Sequence, residues 1–333
     1  MKERLEALFE AVQEFDEIII LPHNNPDPDA IASAVALRHL LSQRFNIKCQ
    51  IVYRGIIGRA ENKALVRYLN HPLQRLTGCI SQPCAPFALV DTQPGTGNNA
   101  LPTGADIAIV IDHHPQREAN GVINFVDVRP SVGAASSIMT EYLRLAQISI
   151  PSFIATALFY GIKTDTMGLG RGTGTLDMEA ICYLLPKIDL EALLKIERAQ
   201  VPMGYFKNLA EALNATRIYN NVAISYLGPM QYPDLTAETA DFLLRMKGIE
   251  WVVCMGTHKE RFIISVRTQK QAGAGQFIQT IVGKQGVAGG HGSMAGGQII
   301  IGDRNPDHLA EGLIEKMRQY LHVSEIMGQA LTT

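Results

Sequence analysis

Eight side chains able to bind a metal or move a proton stand at the ends of apolar runs. His23, Asp27 and Asp29 lie in HNNPDPD, directly after EIIIL. Asp91 follows FALV, and Asp112, His113 and His114 follow IAIVI. Asp165 stands in GIKTDT, at the end of a helix-like apolar run. Lys and Arg are nearly absent from these segments. Carboxylates gathered in one pocket repel one another, and their pKa values rise unless cations neutralise them. A carboxylate–imidazole set without thiolates suits manganese, iron, cobalt or zinc and suits calcium poorly. Two such ions bridged by one carboxylate would sit roughly 3.5–4 Å apart and serve phosphoryl chemistry. Singly, each residue has a plainer explanation. An Asp after a strand commonly caps a helix or shapes a turn, and Asp29 could cap a helix starting at Ala30. The recurrence at four element ends favours the metal.

The elements that position these residues read as α/β. Glu17–Leu21, Ile47–Tyr53, Phe87–Val90, Ile107–Ile111 and Val122–Val126 are short apolar runs of the kind found in buried parallel strands. Ala30–Phe45, Ala60–Leu69, Ala134–Ala146 and Phe153–Lys163 have helical spacing. The alternation predicts a parallel sheet with right-handed crossovers, and ligands bind outside the carboxyl ends of such strands. A second alternation follows a helical stretch. Val222–Leu227, Glu250–Met255 and Arg261–Arg267 read as strands, and Ala237–Met246 and Asp307–Leu321 as helices. A glycine-rich loop at Gly283–Gly297 precedes a strand at Gln298–Ile301. The expected domains are 1–190 with the metal centre, a helical connector at 191–220, and a smaller α/β domain at 221–333.

Composition bounds the alternatives. The 333 residues are 47% hydrophobic and 19% charged, with a net charge of −2. That is globular, and it excludes a generally basic nucleic-acid-binding surface while leaving room for a local basic pocket. Five scattered cysteines form no C-x-x-C pair, so neither a disulfide framework nor a thiolate zinc site is expected. The N-terminal segment reads as an amphipathic helix rather than a signal peptide. Leu145–Ile162 is uncharged, but Gln147, Ser149, Pro151 and Ser152 interrupt it and argue against a membrane span. Reduced thiols and a cytoplasmic location follow as expectations.

HNNPDPDAIAS, ALVDT, VIDHH and GIKTDT resemble, in order and spacing, the four motifs of the DHH phosphoesterase superfamily. VAGGHGSMAGG at 287–297 is similar to the GGH loop of the DHH-associated C-terminal domain. The resemblance implies a compact two-domain enzyme with its active site in the interdomain cleft, closest to nanoRNase and 3′-phosphoadenosine 5′-phosphate (pAp) phosphatase members. It implies two divalent ions, manganese foremost. His23, Asp27 and Asp91 would hold one ion, and Asp29, Asp91, His113 and Asp165 the other. Asp112 would orient a histidine, and His114 would face the scissile phosphate. Arg267, Gly289, Gly290 and His291 would grip the nucleotide, with Lys284 a weaker candidate. Ser136 and Ser137 read as a close-packed helix start. The family's aromatic residue after TDT is replaced by MGLGRGTGT, in which Arg171 either contacts phosphate or sits in a plain turn. The implied reaction is hydrolysis of very short oligonucleotides or pAp to nucleoside monophosphates. The implied partners are such substrates, without long duplex nucleic acid or membrane, and a homodimer is left open. The alternatives are pGpG or cyclic dinucleotides as substrates, inorganic polyphosphate less favoured, and a non-catalytic nucleotide sensor.

Overall fold

The structure, a computed structural model, describes residues 2–78, 85–117, 122–170, 172–270, 272–323 and 328–332, with the backbone alone at His291. The chain divides into two compact units between Gln200 and Val201.

The first unit runs α1 (Lys2–Glu10), β1 (Glu17–Pro22), α2 (Pro28–Phe45), β2 (Lys48–Tyr53), α3 (Ala60–Tyr68), β3 (Leu73–Arg75), β4 (Phe87–Val90), β5 (Ile107–Asp112), β6 (Ile123–Val128), α4 (Ala135–Leu145), α5 (Ser152–Asp165), α6 (Thr175–Leu184) and α7 (Leu190–Glu197). Its six strands are all parallel, in the order β3-β2-β1-β4-β5-β6. Side chains alternate between sheet faces, so FALV feeds two cores at once. Ala88 and Val90 join Ile20, Ile31, Leu37, Ile138 and Leu158 on one face. Phe87 and Leu89 join Leu21, Val52 and Val110 on the other. Small residues let α2 lie buried from Pro28 to Leu37, and Asp27 and Pro28 start it. It ends at Asn46, which takes the left-handed conformation at φ 57° and donates its N–H to Ser42 O.

The order also fixes where a site can form. The chain leaves β1 towards β2 and β3, but leaves β4 towards β5 and β6. β1 and β4 are neighbours. Between them lies the switch point at which open α/β sheets open a crevice at their carboxyl ends.

The second unit runs α8 (Met203–Ala215), β7 (Thr216–Tyr219), β8 (Val222–Pro229), α9 (Leu235–Leu243), β9 (Trp251–His258), β10 (Arg261–Thr268), α10 (Ala274–Val282), β11 (Gly286–His291), β12 (Met294–Ile300), α11 (Pro306–Tyr320) and β13 (Gln329–Ala330). Its sheet is mixed, in the order β11-β12-β10-β9-β8-β7-β13, with β8 and β9 parallel and the other pairs antiparallel. Trp251, Val253, Phe262, Ile264, Phe277 and Leu313 share one core, and Ala240, Leu243, Val252 and Cys254 another.

Two expectations change. The stretch Gly283–Gly297 is not a loop but mostly a hairpin of β11 and β12. Alternation carried by glycines leaves no hydrophobic period to detect. Gly290 sits at φ 151°, and a Cβ there would lie 2.4 Å from Ala295 Cα, so the pairing itself requires glycine. The short strands β3, β7 and β13 also escaped the reading, being two to four residues long. Among the described residues no helix is long and apolar enough to cross a membrane. Cys49, Cys182 and Cys254 are free thiols, and Cys79 and Cys84 lie outside the described residues.

Candidate metal centre

The loop after β1 carries His23 and Asp27, the first turn of α2 carries Asp29, β4 leads to Asp91, β5 to Asp112, His113 and His114, and α5 ends in Asp165. Asp91 takes the left-handed conformation at φ 57° while its N–H still reaches Ile111 O at 2.9 Å. Asp tolerates that region better than most residues, and the abrupt turn ends the strand at the site.

The six expected ligands converge, and their atoms form overlapping trios, each within 4.8 Å. His23, Asp27 and Asp91 make one, and Asp29, His113 and Asp165 make another. Asp91, His113 and His114 make a third. Asp91 lies between them: its Oδ2 is 3.5 Å from His23 Nε2 and its Oδ1 is 3.3 Å from His113 Nε2. His23 Nε2 is 3.6 Å from Asp27 Oδ2, and His113 Nε2 is 3.1 Å from Asp165 Oδ2 and 3.9 Å from Asp29 Oδ2.

Two features test whether these residues suit a cation. His23 Nδ1 donates to Asn24 O at 2.9 Å, and His113 Nδ1 donates to Val132 O at 3.2 Å. A carbonyl can only accept, so each neutral ring turns the lone pair of Nε2 towards the carboxylates, as metal-binding imidazoles do. Asp91 Oδ1 is buried and accepts no hydrogen bond. The donor set therefore fits a borderline divalent ion.

The electrostatics agree. Burial would push the Asp91 carboxyl up, but His113, His23 and His114 outweigh it and hold Asp91 far below the usual carboxylate range. Burial would lower His23 and His113, yet their carboxylate neighbours raise both. Asp29 is raised by burial and by Asp91 and Asp165. Burial also raises Asp165, against the pull of His113. Without an ion, protons take up the positive charge that the cluster demands.

Asp112 plays a different part. Its Oδ1 accepts His114 Nδ1 at 2.8 Å and His113 N at 2.8 Å, and its Oδ2 accepts Gln93 Nε2 at 2.7 Å. His114 is thereby held by Nδ1, with its side chain 38% exposed against 16% for His23 and 4% for His113.

Several side chains do work that sequence reading missed. The cap of α2 is Asp27, whose Oδ1 accepts Ala30 N at 3.0 Å, and not Asp29. Asp29 instead accepts Ala135 N and Ser136 N, both at 2.7 Å, at the start of α4. Ser136 and Ser137 are more than close packing: Ser136 Oγ meets Ser33 Oγ, and Ser137 Oγ donates to Asp177. Gln93 and Asp177 carried no motif signal, since a Gln after a strand and an Asp in a first helical turn are both commonplace.

In the second unit, Arg267 lies on β10 with its side chain only 10% exposed. It donates from Nε to Asp241 Oδ1 at 2.5 Å and from a terminal nitrogen to Val266 O at 3.0 Å. Gly289 and Gly290 lie on β11, and Lys284 is exposed. Arg171 and the side chain of His291 lie outside the described residues.

Residues 17–162, from β1 into α5, match the DHH family, N-terminal domain. Residues 17–162 are a DHH-family domain. The match takes in every residue of the centre except Asp165. An uncharacterised protein of Methanocaldococcus jannaschii is 36% identical over 86% of this chain and 58% of its own length. The cyclic-di-AMP phosphodiesterase PdeA of Listeria monocytogenes is 23% identical over 88% of this chain and 46% of its own. A probable bifunctional oligoribonuclease and PAP phosphatase of Streptococcus mutans is 28% identical over 47% of this chain and 50% of its own. The chain thus spans about half the length of these three relatives. Its fold is similar to that of an exopolyphosphatase-related protein from Bacteroides fragilis, with a TM-score of 0.70, 15% identity and 98% of each chain covered. It is similar also to RecJ from Thermus thermophilus in complex with Mn2+, with a TM-score of 0.57, 14% identity, and 98% of this chain and 55% of that one covered.

Proposed function

We propose that this DHH protein is a phosphoesterase with two divalent-ion sites, manganese the favoured ion, that hydrolyses very short oligonucleotides and pAp to nucleoside monophosphates. The observation that carries the reading is Asp91, a buried carboxylate whose two oxygens face two different histidine–aspartate sets. His23, Asp27 and Asp91 would hold one ion, and Asp29, Asp91, His113 and Asp165 the other. When bound, the ions supply Lewis acidity towards water and towards a phosphoryl oxygen. Asp112 holds the His114 ring by Nδ1. Against the effect of burial, Asp112 and Asp91 raise the His114 pKa, which favours the protonated ring whose Nε2–H would donate to a phosphoryl or leaving oxygen. His114 is the most exposed of the three imidazoles, which suits it to touch substrate. Arg267, Gly289, Gly290, His291 and Arg171 stay proposed for nucleotide binding on the resemblance. A Cβ at Gly289 would meet nothing within 4 Å among the described residues, so their packing does not account for that glycine.

One observation favours a second reading. The likeness to the cyclic-di-AMP phosphodiesterase runs over 88% of this chain, against 47% for the oligoribonuclease and PAP phosphatase. A cyclic or linear dinucleotide is the substrate on that reading. Turnover of pAp, di- to pentaribonucleotides, pGpG, cyclic di-AMP and polyphosphate with Mn2+, followed by chromatography, separates the two. AMP from pAp and from short oligomers supports the first reading, and turnover of cyclic di-AMP alone selects the second. Bound metal without turnover of any of them rejects both in favour of a sensor.

A further inference from the structure

We propose that Asp177 is the positioning residue for the Asp29, His113 and Asp165 half of the centre, an assignment that rests on the two-ion reading above. Asp177 is fully buried in the first turn of α6. Its Oδ2 accepts Gly133 N at 2.8 Å and Gly174 N at 2.7 Å, and its Oδ1 accepts Ser137 Oγ at 2.5 Å. No cation among the described residues pairs with it. Keeping a buried carboxylate on neutral donors alone is costly, and helix capping needs no such burial.

Each donor sits on a segment that either hydrogen-bonds to one residue of that half or follows it in the chain. Gly133 adjoins Val132, whose carbonyl accepts His113 Nδ1 and turns Nε2 inward. Ser137 follows Ala135 and Ser136, whose N–H groups hold the two oxygens of Asp29. Gly174 closes the glycine-rich segment that leaves Asp165. At Gly133 a Cβ would lie 2.7 Å from Thr166 Cγ2 and 3.0 Å from Gly172 O, so the turn before α4 is pressed against that segment. One carboxylate therefore ties together the supports of His113, Asp29 and Asp165. The same geometry gives Gly172 and Gly174 a task, since Gly174 offers its N–H and Gly172 O borders the space that Gly133 occupies.

The test is Mn2+ titration of the metal-free full-length chain, following free Mn2+ by its paramagnetic resonance signal, with melting temperature measured in parallel. Asp177→Asn keeps the shape but cannot accept all three hydrogen bonds. The expected result is one ion at the wild-type affinity and the other about tenfold weaker or more, the scale of lost ligand support. Ser137→Ala, which removes one donor and adds no bulk, is expected to shift the same ion by less. A folded Asp177→Asn protein with the wild-type isotherm overturns the proposal, however far its melting temperature falls. Should Asp177→Asn not fold, Ser137→Ala decides by the same criterion. Should the wild-type chain take up a single ion, the two-ion reading falls. In that case weakening of the single ion by Asp177→Asn still sustains the assignment, and an unaltered ion overturns it.

Discussion

Gln93 donates its buried side-chain amide to Asp112 Oδ2 at 2.7 Å. The same amide nitrogen reaches Pro115 O at 3.2 Å, and Gln93 Oε1 accepts Arg117 N at 2.8 Å. One side chain so spans the loop that carries His113 and His114, and it completes a chain from Gln93 through Asp112 to His114 Nδ1. Gln93→Leu leaves the Asp112 carboxylate a donor short, and an unmet buried acceptor costs about 1–3 kcal/mol. If that cost falls on the transition state, kcat drops about 5- to 150-fold, with KM and bound manganese near wild type. Steady-state kinetics on a dinucleotide and metal analysis of the same sample check this. Loss of metal in step with kcat would show that the clamp serves His113 rather than His114.

Asp91→Asn removes the charge that both ion sets share. The expected outcome is loss of both ions together, and a fall in activity of about a hundredfold or more, since Lewis-acid stabilisation is worth several kcal/mol. Metal content by elemental analysis and turnover by chromatography are the two readouts. Retention of one full equivalent of metal would reject a shared carboxylate.

The pH dependence of stability should differ with and without metal. His23 and His113 are raised because nearby carboxylates outweigh burial, and Asp29 and Asp165 are raised chiefly by burial. A group raised on folding stabilises the protein below its unfolded pKa and loses that contribution as pH climbs through its folded pKa. For the histidines the loss begins above about pH 6.5. Asp27 and Asp91 are lowered by their histidine neighbours against burial, so their contribution is lost only as pH falls below about 4. The metal-free protein should therefore melt at lower temperature near pH 8.5 than near pH 6.5. Bound Mn2+ replaces the protons, so the rise in melting temperature on adding it should be larger at the higher pH. A manganese-induced rise that is the same at both pH values would contradict this.

Arg267 tests grip apart from chemistry. If Arg267 grips the nucleotide as proposed, Arg267→Ala removes a charge-assisted contact worth roughly 1.5–3 kcal/mol. That is about a 10- to 150-fold loss in kcat/KM on pAp and dinucleotides, with metal content unchanged. The loss should be small on bis-p-nitrophenyl phosphate, which has no second phosphate to hold. Asp241→Asn, which loosens the ion pair but keeps the guanidinium, is the control for altered packing. Equal losses on both esters would place Arg267 at the scissile phosphate.

The parallel strands were legible because FALV and IAIVI are buried along their whole length, and EIIIL largely so after the exposed Glu17, and strands buried on both faces are apolar throughout. The glycine hairpin β11–β12 was not, because strand periodicity is a property of side chains and Gly289 and Gly290 have none. β3 and β13 were too short to carry a period at all.

The sequence by itself determined which residues stand at the carboxyl ends of the strands, and hence the acid–imidazole chemistry of the centre. Strand ends are marked locally by an apolar run giving way to Asp or His, and the apolar run of α5 gives way to Asp165 in the same manner, so His23, Asp27, Asp29, Asp91, His113 and Asp165 could be named before any coordinates. Only the tertiary structure decided what holds them. Val132 O on His113, the Ala135 and Ser136 N–H groups on Asp29, and Gln93 on Asp112 join residues 19 to 107 positions apart. Hydrogen bonds from backbone groups leave no trace in residue type, because every residue except proline offers the same N–H and C=O. Which oxygen of Asp91 faces which histidine, and which ring nitrogen each histidine turns inward, follow from those long-range contacts alone.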